Sequence, residues 1–236
     1  MLPLLTPPRR RGVEYLDTDV EPGVRRRSHR DIALSNRLFG GVHAVRAALE
    51  PLLARGPREL SLLDVGTGTG DIPSRLVPVA ARRGVRLRIL GLDGHRELVA
   101  ATREWRIDPV CADALSLPFA DRSIDVVCCS QVLHHFEPRD ALRLLREMHR
   151  VANECVIVAD LRRSWVAAAA LWLISFPLGF HPVSRHDGVV SIFRGFTGAE
   201  LRALVREAVG VDARVRRRFL FRVTASWPRD PAAGAS

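Results

Sequence analysis

Ten residues, Leu62-Leu63-Asp64-Val65-Gly66-Thr67-Gly68-Thr69-Gly70-Asp71, constrain this chain more than any others. The run Leu60 to Val65 is mostly apolar, as a strand covered on both faces should be. Gly66, Gly68 and Gly70 then allow a tight turn and a close approach of ligand to backbone. Asp71 opens the next helix. A dinucleotide site would need G-x-G-x-x-G, with the pyrophosphate on the helix N-terminus. Here the sixth position is Asp71, whose carboxylate would repel a pyrophosphate and suits a ligand that carries an ammonium group.

S-adenosylmethionine (SAM) has an ammonium and a sulfonium and no phosphate. The stretch resembles motif I of the class I SAM-dependent methyltransferases, and the remaining motifs of that family follow in order. Arg86 to Leu92 is a second apolar run ending Gly91-Leu92-Asp93, and a carboxylate at that position binds ribose hydroxyls in such folds. Cys111-Ala112-Asp113-Ala114-Leu115 resembles the adenine-edge motif, in which the Asp accepts from the exocyclic amine. Phe119 to Phe136 resembles the fourth strand and its active-site edge. The resemblance covers residues 60–160. It implies a mostly parallel seven-stranded Rossmann-like sheet, with helices on both faces and an antiparallel C-terminal hairpin. It also implies that Asp64, Gly66, Thr67, Gly68, Gly70, Asp93, Gly94, Asp113, Ala114, Ser130 and Gln131 hold SAM, with S-adenosylhomocysteine as product.

A chain of 236 residues suits one α/β domain with decoration, and 47% hydrophobic residues argue against disorder. The formal charge is +10, and all 36 basic residues are arginine. With no lysine, codon bias explains the charge better than nucleic-acid binding does. The triplets Arg9 to Arg11, Arg25 to Arg27 and Arg216 to Arg218 read as solvated surface that would favour an anionic membrane. Cys111, Cys128, Cys129 and Cys155 lie in strand-like runs without a C-x-x-C pair. They read as small buried hydrophobes in a reducing compartment, and no metal site is expected. Met1 to Pro8 lacks the features of a signal peptide, so the expected location is cytoplasmic, with membrane association left open.

The expected organisation is a flexible Pro/Arg-rich arm over 1–27, a helical lid over 28–57 and a SAM-binding core over 58–160. An apolar helical insertion follows over 161–195, then a C-terminal helix and hairpin over 196–227 and a tail over 228–236. Thr197 and Glu200 have capping-box spacing. Trp165 to Phe180 carries no charge across sixteen residues, too few to span a bilayer, and Pro177 and Gly179 break it. Three readings stay open for it: a buried core helix, a lid over an apolar substrate, or an interfacial helix.

A sulfonium methyl is already activated, so the protein must mainly align a nucleophile and exclude water. A phenol or acidic carbon also needs its proton removed. The candidate bases are His134 and His135 after the fourth strand, of which at most one should face the methyl, and His186, with His181, near the end of the apolar segment. His186-Asp187-Gly188 reads as a turn. Leu34 to His43 resembles the N-terminal helix of the quinone-biosynthesis C-methyltransferases. Asp160 to Ser164, Ser184 to Gly188 and Phe196-Thr197 resemble small bacterial methyltransferases of phenolic polyketide lipids. Both resemblances imply a lipophilic aromatic acceptor methylated on oxygen or carbon. Ser130-Gln131-Val132-Leu133 is unlike the N/D-P-P-Y motif of amino-methylating enzymes, and a K-D-K-E tetrad is impossible without lysine. The alternatives are methylation of RNA or protein, and a non-catalytic SAM-binding module.

Overall fold

In a computed structural model that describes residues 6–56 and 58–230, seven strands form one sheet in the order β3-β2-β1-β4-β5-β7-β6. These are β1 (Arg58–Val65), β2 (Val85–Asp93), β3 (Asp108–Cys111), β4 (Ile124–Ser130), β5 (Ala152–Leu161), β6 (Arg214–Arg218) and β7 (Arg222–Pro228). The first five run parallel, and β7 inserts antiparallel between β5 and β6. This is the Rossmann-like sheet that the motifs predict. The central strands are buried on both faces, which is why β1, β4 and the second half of β5 read as continuous apolar runs.

Each face of the sheet carries its own core. On one side pack α6 (Pro138–Val151) and α9 (Gly198–Val209), through Leu144, Leu145, Met148, Leu201 and Val205. The buried positions of α6 recur at three and four residues, the spacing of one helical stripe. On the other side pack α2 (Gly41–Leu53), α3 (Asp71–Ser74) and α4 (Val77–Ala81), through Val45, Leu49, Leu52, Ile72 and Leu76. Pro51 lies inside α2 and cannot donate to the Ala47 carbonyl. Arg218 Nη2 donates to that oxygen instead, at 3.3 Å, and fixes the C-terminal hairpin against the helix. The capping box at Thr197 and Glu200 is formed as its spacing predicts.

Three expectations need correction, and one open reading falls away. The arm does not extend to residue 27, because α1 (Pro22–Leu38) starts at Pro22. Residues 1–5 lie outside the described residues. Pro7 to Asp17 is strapped along α8 (Pro182–Arg194): the Tyr15 and Leu16 N–H groups donate to Asp187 at 2.9 Å, and Arg194 Nε donates to the Gly12 carbonyl at 2.9 Å. These partners are more than 170 residues apart in sequence, so composition gives no sign of them. Second, His186-Asp187-Gly188 is the middle of α8 rather than a turn. A Cβ on Gly188 would lie 2.7 Å from Leu171 Cδ2, so this glycine serves the packing of α8 on α7 (Trp165–Ser175). Third, Cys111 is exposed and Cys155 is half-buried, both where the sheet is thinly covered, while Cys128 and Cys129 are buried as expected. Of the three readings open for Trp165 to Phe180, the buried core helix is set aside for α7. Only Ala167, Ala168 and Ser175 are buried on it, and Trp165, Val166, Trp172 and Leu173 face outward.

Arg163 locks the strap, α8 and α9 together. It is buried, and it donates to the Pro7 carbonyl at 2.9 Å, to the Gly195 carbonyl at 2.6 Å and to both oxygens of Glu200 at 2.8 and 2.9 Å. Arg163→Leu strands two carbonyls and a carboxylate. We expect it to cost about 3–5 kcal/mol, measured as the loss of unfolding free energy in urea.

Candidate functional site

The carboxyl ends of β1, β2 and β4 meet at the glycine turn. Gly66 N–H and Thr67 N–H both donate to the Leu92 carbonyl, at 2.8 and 2.9 Å, and bind the end of β1 to the end of β2. Gly66, at φ +73°, has no room for a side chain, since a Cβ there would lie 2.4 Å from Val132 Cγ2. Gly68 differs. It also has a positive φ, +55°, but its Cβ position is open, with His29 Nδ1 4.0 Å away as the nearest atom. A bare backbone facing open space is what a ligand needs to come close.

Asp93 Oδ2 accepts from Gly68 N–H and Oδ1 from His95 N–H, each at 2.9 Å, which fixes the carboxylate at the mouth of the turn. Asp113 Oδ1 accepts from Leu115 N–H at 2.8 Å. Gln131 sits at φ +58°, donates its backbone N–H to the Ala159 carbonyl and points its amide at Asn36 Oδ1. Asn36 in turn donates to Asp71 Oδ2 at 3.0 Å, so α1 is clamped onto the turn. Burial, reinforced by the charges of Asp71 and Asp93, pushes the Asp64 carboxyl up to about 7. Burial also raises Asp71, although Asn36 counters it.

One cavity of about 680 Å³ runs from this turn to α7 and α8. Asp64, Gly66, Thr67, Gly68, Asp93, Gly94, Asp113, Ala114, Ser130 and Gln131 all line it, but Gly70 does not. Gly70 turns the chain at φ +78° and packs on Ile107 and Thr102 instead. The Ser130 hydroxyl is buried without a hydrogen-bond partner, and the Thr67 hydroxyl is buried beside Asp64. An orphaned hydroxyl, the carboxylates of Asp64, Asp93 and Asp113 and an open glycine face together suit a polar cationic ligand and oppose a pyrophosphate. The donor set therefore fits SAM.

Beyond the turn the lining becomes apolar: Ile32, Ala167, Ala170, Leu171, Ile174 and Phe180. At the junction lie both His134 and His135. His134 is buried, and its Nδ1 lies 2.7 Å from Asp160 Oδ1, while its backbone N–H donates to Asp160 Oδ2 at 3.1 Å. Burial alone would raise the Asp160 carboxyl. The charge and hydrogen bond of His134 and the Leu161 N–H outweigh burial and hold it below the usual carboxylate range. An ionised carboxylate only accepts, so His134 Nδ1 carries the proton shared with Asp160. His134 Nε2 is buried, unbonded and 3.8 Å from Glu14 Oε1. His135 is less buried, with Nδ1 3.1 Å from Asp17 Oδ1.

Glu14, His134 and His135 bring three ligand-type atoms within 4.8 Å of one another. Arg194 already supplies their counter-charge, 3.0 Å from Glu14 and 2.8 Å from Asp17. Burial would raise Asp17, but the hydrogen bonds from His135 and Arg194 bring it down to about 2. His186 does not line the cavity. Its ring lies on Tyr15 at 4.4 Å and its Nδ1 faces Asp187 at 2.8 Å. His181 caps α8, its Nδ1 accepting from Val183 N–H at 3.3 Å. Glu14, His29, Asn36, Asp160 and Arg222 line or support the cavity and were not singled out from sequence. Asp160 alone had a legible signal, as a carboxylate ending an apolar strand.

Known proteins resemble this chain in sequence and in fold. Residues 63–157 match the family described as a methyltransferase domain. The chain contains a class I SAM-dependent methyltransferase domain. A demethylmenaquinone methyltransferase of Thermotoga maritima is 33% identical over 108 residues, 45% of this chain and 44% of that protein. A ubiquinone/menaquinone biosynthesis C-methyltransferase of Cereibacter sphaeroides is 33% identical over 128 residues, 50% of this chain and 48% of that protein. The chain thus spans about half the length of these curated relatives. The fold is shared with a SAM-dependent methyltransferase from Aquifex aeolicus, with TM-score 0.60 and 16% identity over 90% of this chain and 100% of that one. It is also shared with magnesium protoporphyrin IX methyltransferase from Synechocystis PCC 6803 bound to S-adenosylhomocysteine, with TM-score 0.54 and 17% identity over 92% and 90%.

The raised Asp64 carboxyl makes a stability prediction. Its folded pKa lies above the ordinary carboxylate value, so the folded state holds the extra proton and the unfolded state does not. Native stability should therefore fall as pH rises from about 4 to about 7. Asp64→Asn should flatten this slope. The gain in melting temperature over wild type should be greatest at pH 8 and vanish near pH 4.

Proposed function

We propose that the protein methylates the oxygen or carbon of a small, lipophilic phenol- or quinol-like acceptor. The carrying observation is the cavity whose walls differ in chemistry, polar and acidic at the glycine turn and apolar along α7, through Ala167, Ala170, Leu171 and Ile174. Its polar end suits SAM, with Gly68 and Asp93 beside the methionine and ribose and Asp113 at the adenine edge. When bound there, SAM supplies an electrophilic methyl group. Ile32, Leu171, Ile174 and Phe180 surround the acceptor with hydrocarbon and exclude water from it. His134 Nε2 takes the hydroxyl proton, and Asp160 holds the ring orientation and stabilises the imidazolium. A phenol that loses its proton becomes more nucleophilic at oxygen and at the ortho carbon, so one base serves either product. The two quinone-pathway relatives support an aromatic lipophilic acceptor. An apolar chamber favours such an acceptor over RNA or a peptide. Among the described residues no helix is long and apolar enough to cross a membrane. The outward face of α7, with Trp172 and Leu173, supports a peripheral contact through which a lipid-like acceptor enters.

Cofactor binding is tested by two glycines. Gly68→Val should abolish the rise in melting temperature on adding SAM; its Cβ enters open space, so the free protein is destabilised only through the strain of a β-branched residue at φ +55°. Gly66→Ala should destabilise the free protein, because its Cβ meets Val132. A Gly68→Val protein that SAM still stabilises would remove the turn from the site.

The acceptor is tested with a series of alkylphenols. Each methylene buried in the chamber contributes about 0.8 kcal/mol, so KM should fall about fourfold per carbon until the chamber is full. Ile174→Glu should raise KM for long-tailed phenols more than for phenol itself. His134→Gln should lower kcat at least about 100-fold and leave SAM affinity unchanged. Faster transfer to RNA or peptide than to every phenol, untouched by Ile174→Glu, would refute the small-molecule reading.

A further inference from the structure

Arg222 begins β7 beside Leu161, the last residue of β5, so its side chain lies at the carboxyl end of the parallel strands. It lines the cavity and is 6% exposed. Its Nε is buried without a partner, and its guanidinium has no hydrogen bond or ion pair among the described residues. Burial pulls its pKa down to about 10, and Asp160 only partly compensates. The other charged groups of this end of the cavity are matched. Asp31 accepts from His181 N–H and the Ser184 hydroxyl, and Asp187 accepts from Tyr15 and Leu16 N–H. Glu14 and Asp17 pair with Arg194. Arg25 donates to the Leu16 and Thr18 carbonyls. Arg222 is thus the cavity-lining arginine left without an acceptor among the described residues.

A buried unpaired guanidinium is costly, and a folded chain rarely keeps one without a counter-ion. We infer that the counter-ion comes with the ligand, and that Arg222 binds a carboxylate carried on the aromatic acceptor. The planar fork of arginine matches a carboxylate in two parallel hydrogen bonds. A carboxylate is ionised at neutral pH, whereas a phenol, with a pKa near 10, brings no charge to offset the guanidinium. The expected acceptor class is therefore an alkylated hydroxybenzoate rather than a plain alkylphenol. The inference rests on reading the apolar end of the cavity as the acceptor chamber, but binding alone tests it.

The experiment is calorimetry on the full chain with S-adenosylhomocysteine present. The probes are a 6-alkyl-2-hydroxybenzoate, its methyl ester and the corresponding 3-alkylphenol. The acid should bind wild type at least about tenfold more tightly than either neutral probe. Arg222→Gln should erase that preference and leave the affinity for the ester unchanged. Equal affinity of wild type for the acid and the phenol overturns the inference, as does a preference that survives Arg222→Gln. Arg222→Met guards against a structural explanation. Without ligand its melting temperature should equal or exceed that of wild type, because an unpaired buried charge has gone. A lower melting temperature would mean that the folded chain itself satisfies the guanidinium, and would also overturn the inference. Tight Arg222-dependent binding of the acid without methyl transfer to any phenol would instead refute the methylation reading and leave this one standing.

Discussion

The structure depends on how β1 ends. Two consecutive N–H groups, of Gly66 and Thr67, converge on the Leu92 carbonyl of the neighbouring strand, and Val132 from the loop after β4 presses on Gly66 where a side chain would be. Three strand ends are thereby held together at one point. A β-carbon at position 66 cannot be accommodated without moving Val132, and the turn cannot relax without releasing β2. With the backbone held there, Gly68 turns a bare face to the cavity, and its N–H fixes the Asp93 carboxylate. The acidic end of the cavity follows from this one junction.

The rest of the site is brought to the junction by segments distant in sequence. Asn36 of α1 bridges Asp71 and Gln131, so the helix before the first strand becomes a wall of the cavity. The strap of residues 7–17 is held to α8 by Asp187, Arg194 and Arg163, and it delivers Glu14 to the histidine pair. The ties of the strap through Asp187, Arg194 and Arg163 are bonds between a charged side chain and backbone, which are roughly twice as strong as neutral ones. They compensate for a thin apolar core at this end, where four residues, Leu161, Ala167, Ala168 and Ile192, form the buried cluster.

Buried charge is distributed with a clear asymmetry. Asp160 is paired with His134, Asp187 caps two backbone N–H groups, and Arg163 satisfies three acceptors, whereas Asp64 and Arg222 each face the cavity without an opposite charge in contact. Unpaired charge is costly anywhere in a protein interior. Its presence in the cavity lining fits a role in ligand binding, since the ammonium of SAM beside Asp64 and an anion on the acceptor beside Arg222 would relieve the two in turn.

The sequence by itself determined the sheet, the glycine turn and the acidic residues around it. Those features are local: a fully buried strand must be apolar, a tight turn must be glycine, and Asp93 and Asp113 follow their strands by fixed steps. The strap, the helical setting of His186, the outward face of α7 and the exposure of Cys111 were decided only by tertiary structure. Each depends on a partner far along the chain, as when Leu171 fills the space left by Gly188 or Asp187 captures the N–H groups of Tyr15 and Leu16. His134 and His135 were legible as candidates from their place after β4. Which of them is oriented became visible only once β5 brought Asp160 alongside. Arg222 was one arginine among many in the sequence. Only the fold distinguishes it, because a lack of hydrogen-bond partners is a property of three-dimensional surroundings and leaves no trace in residue order.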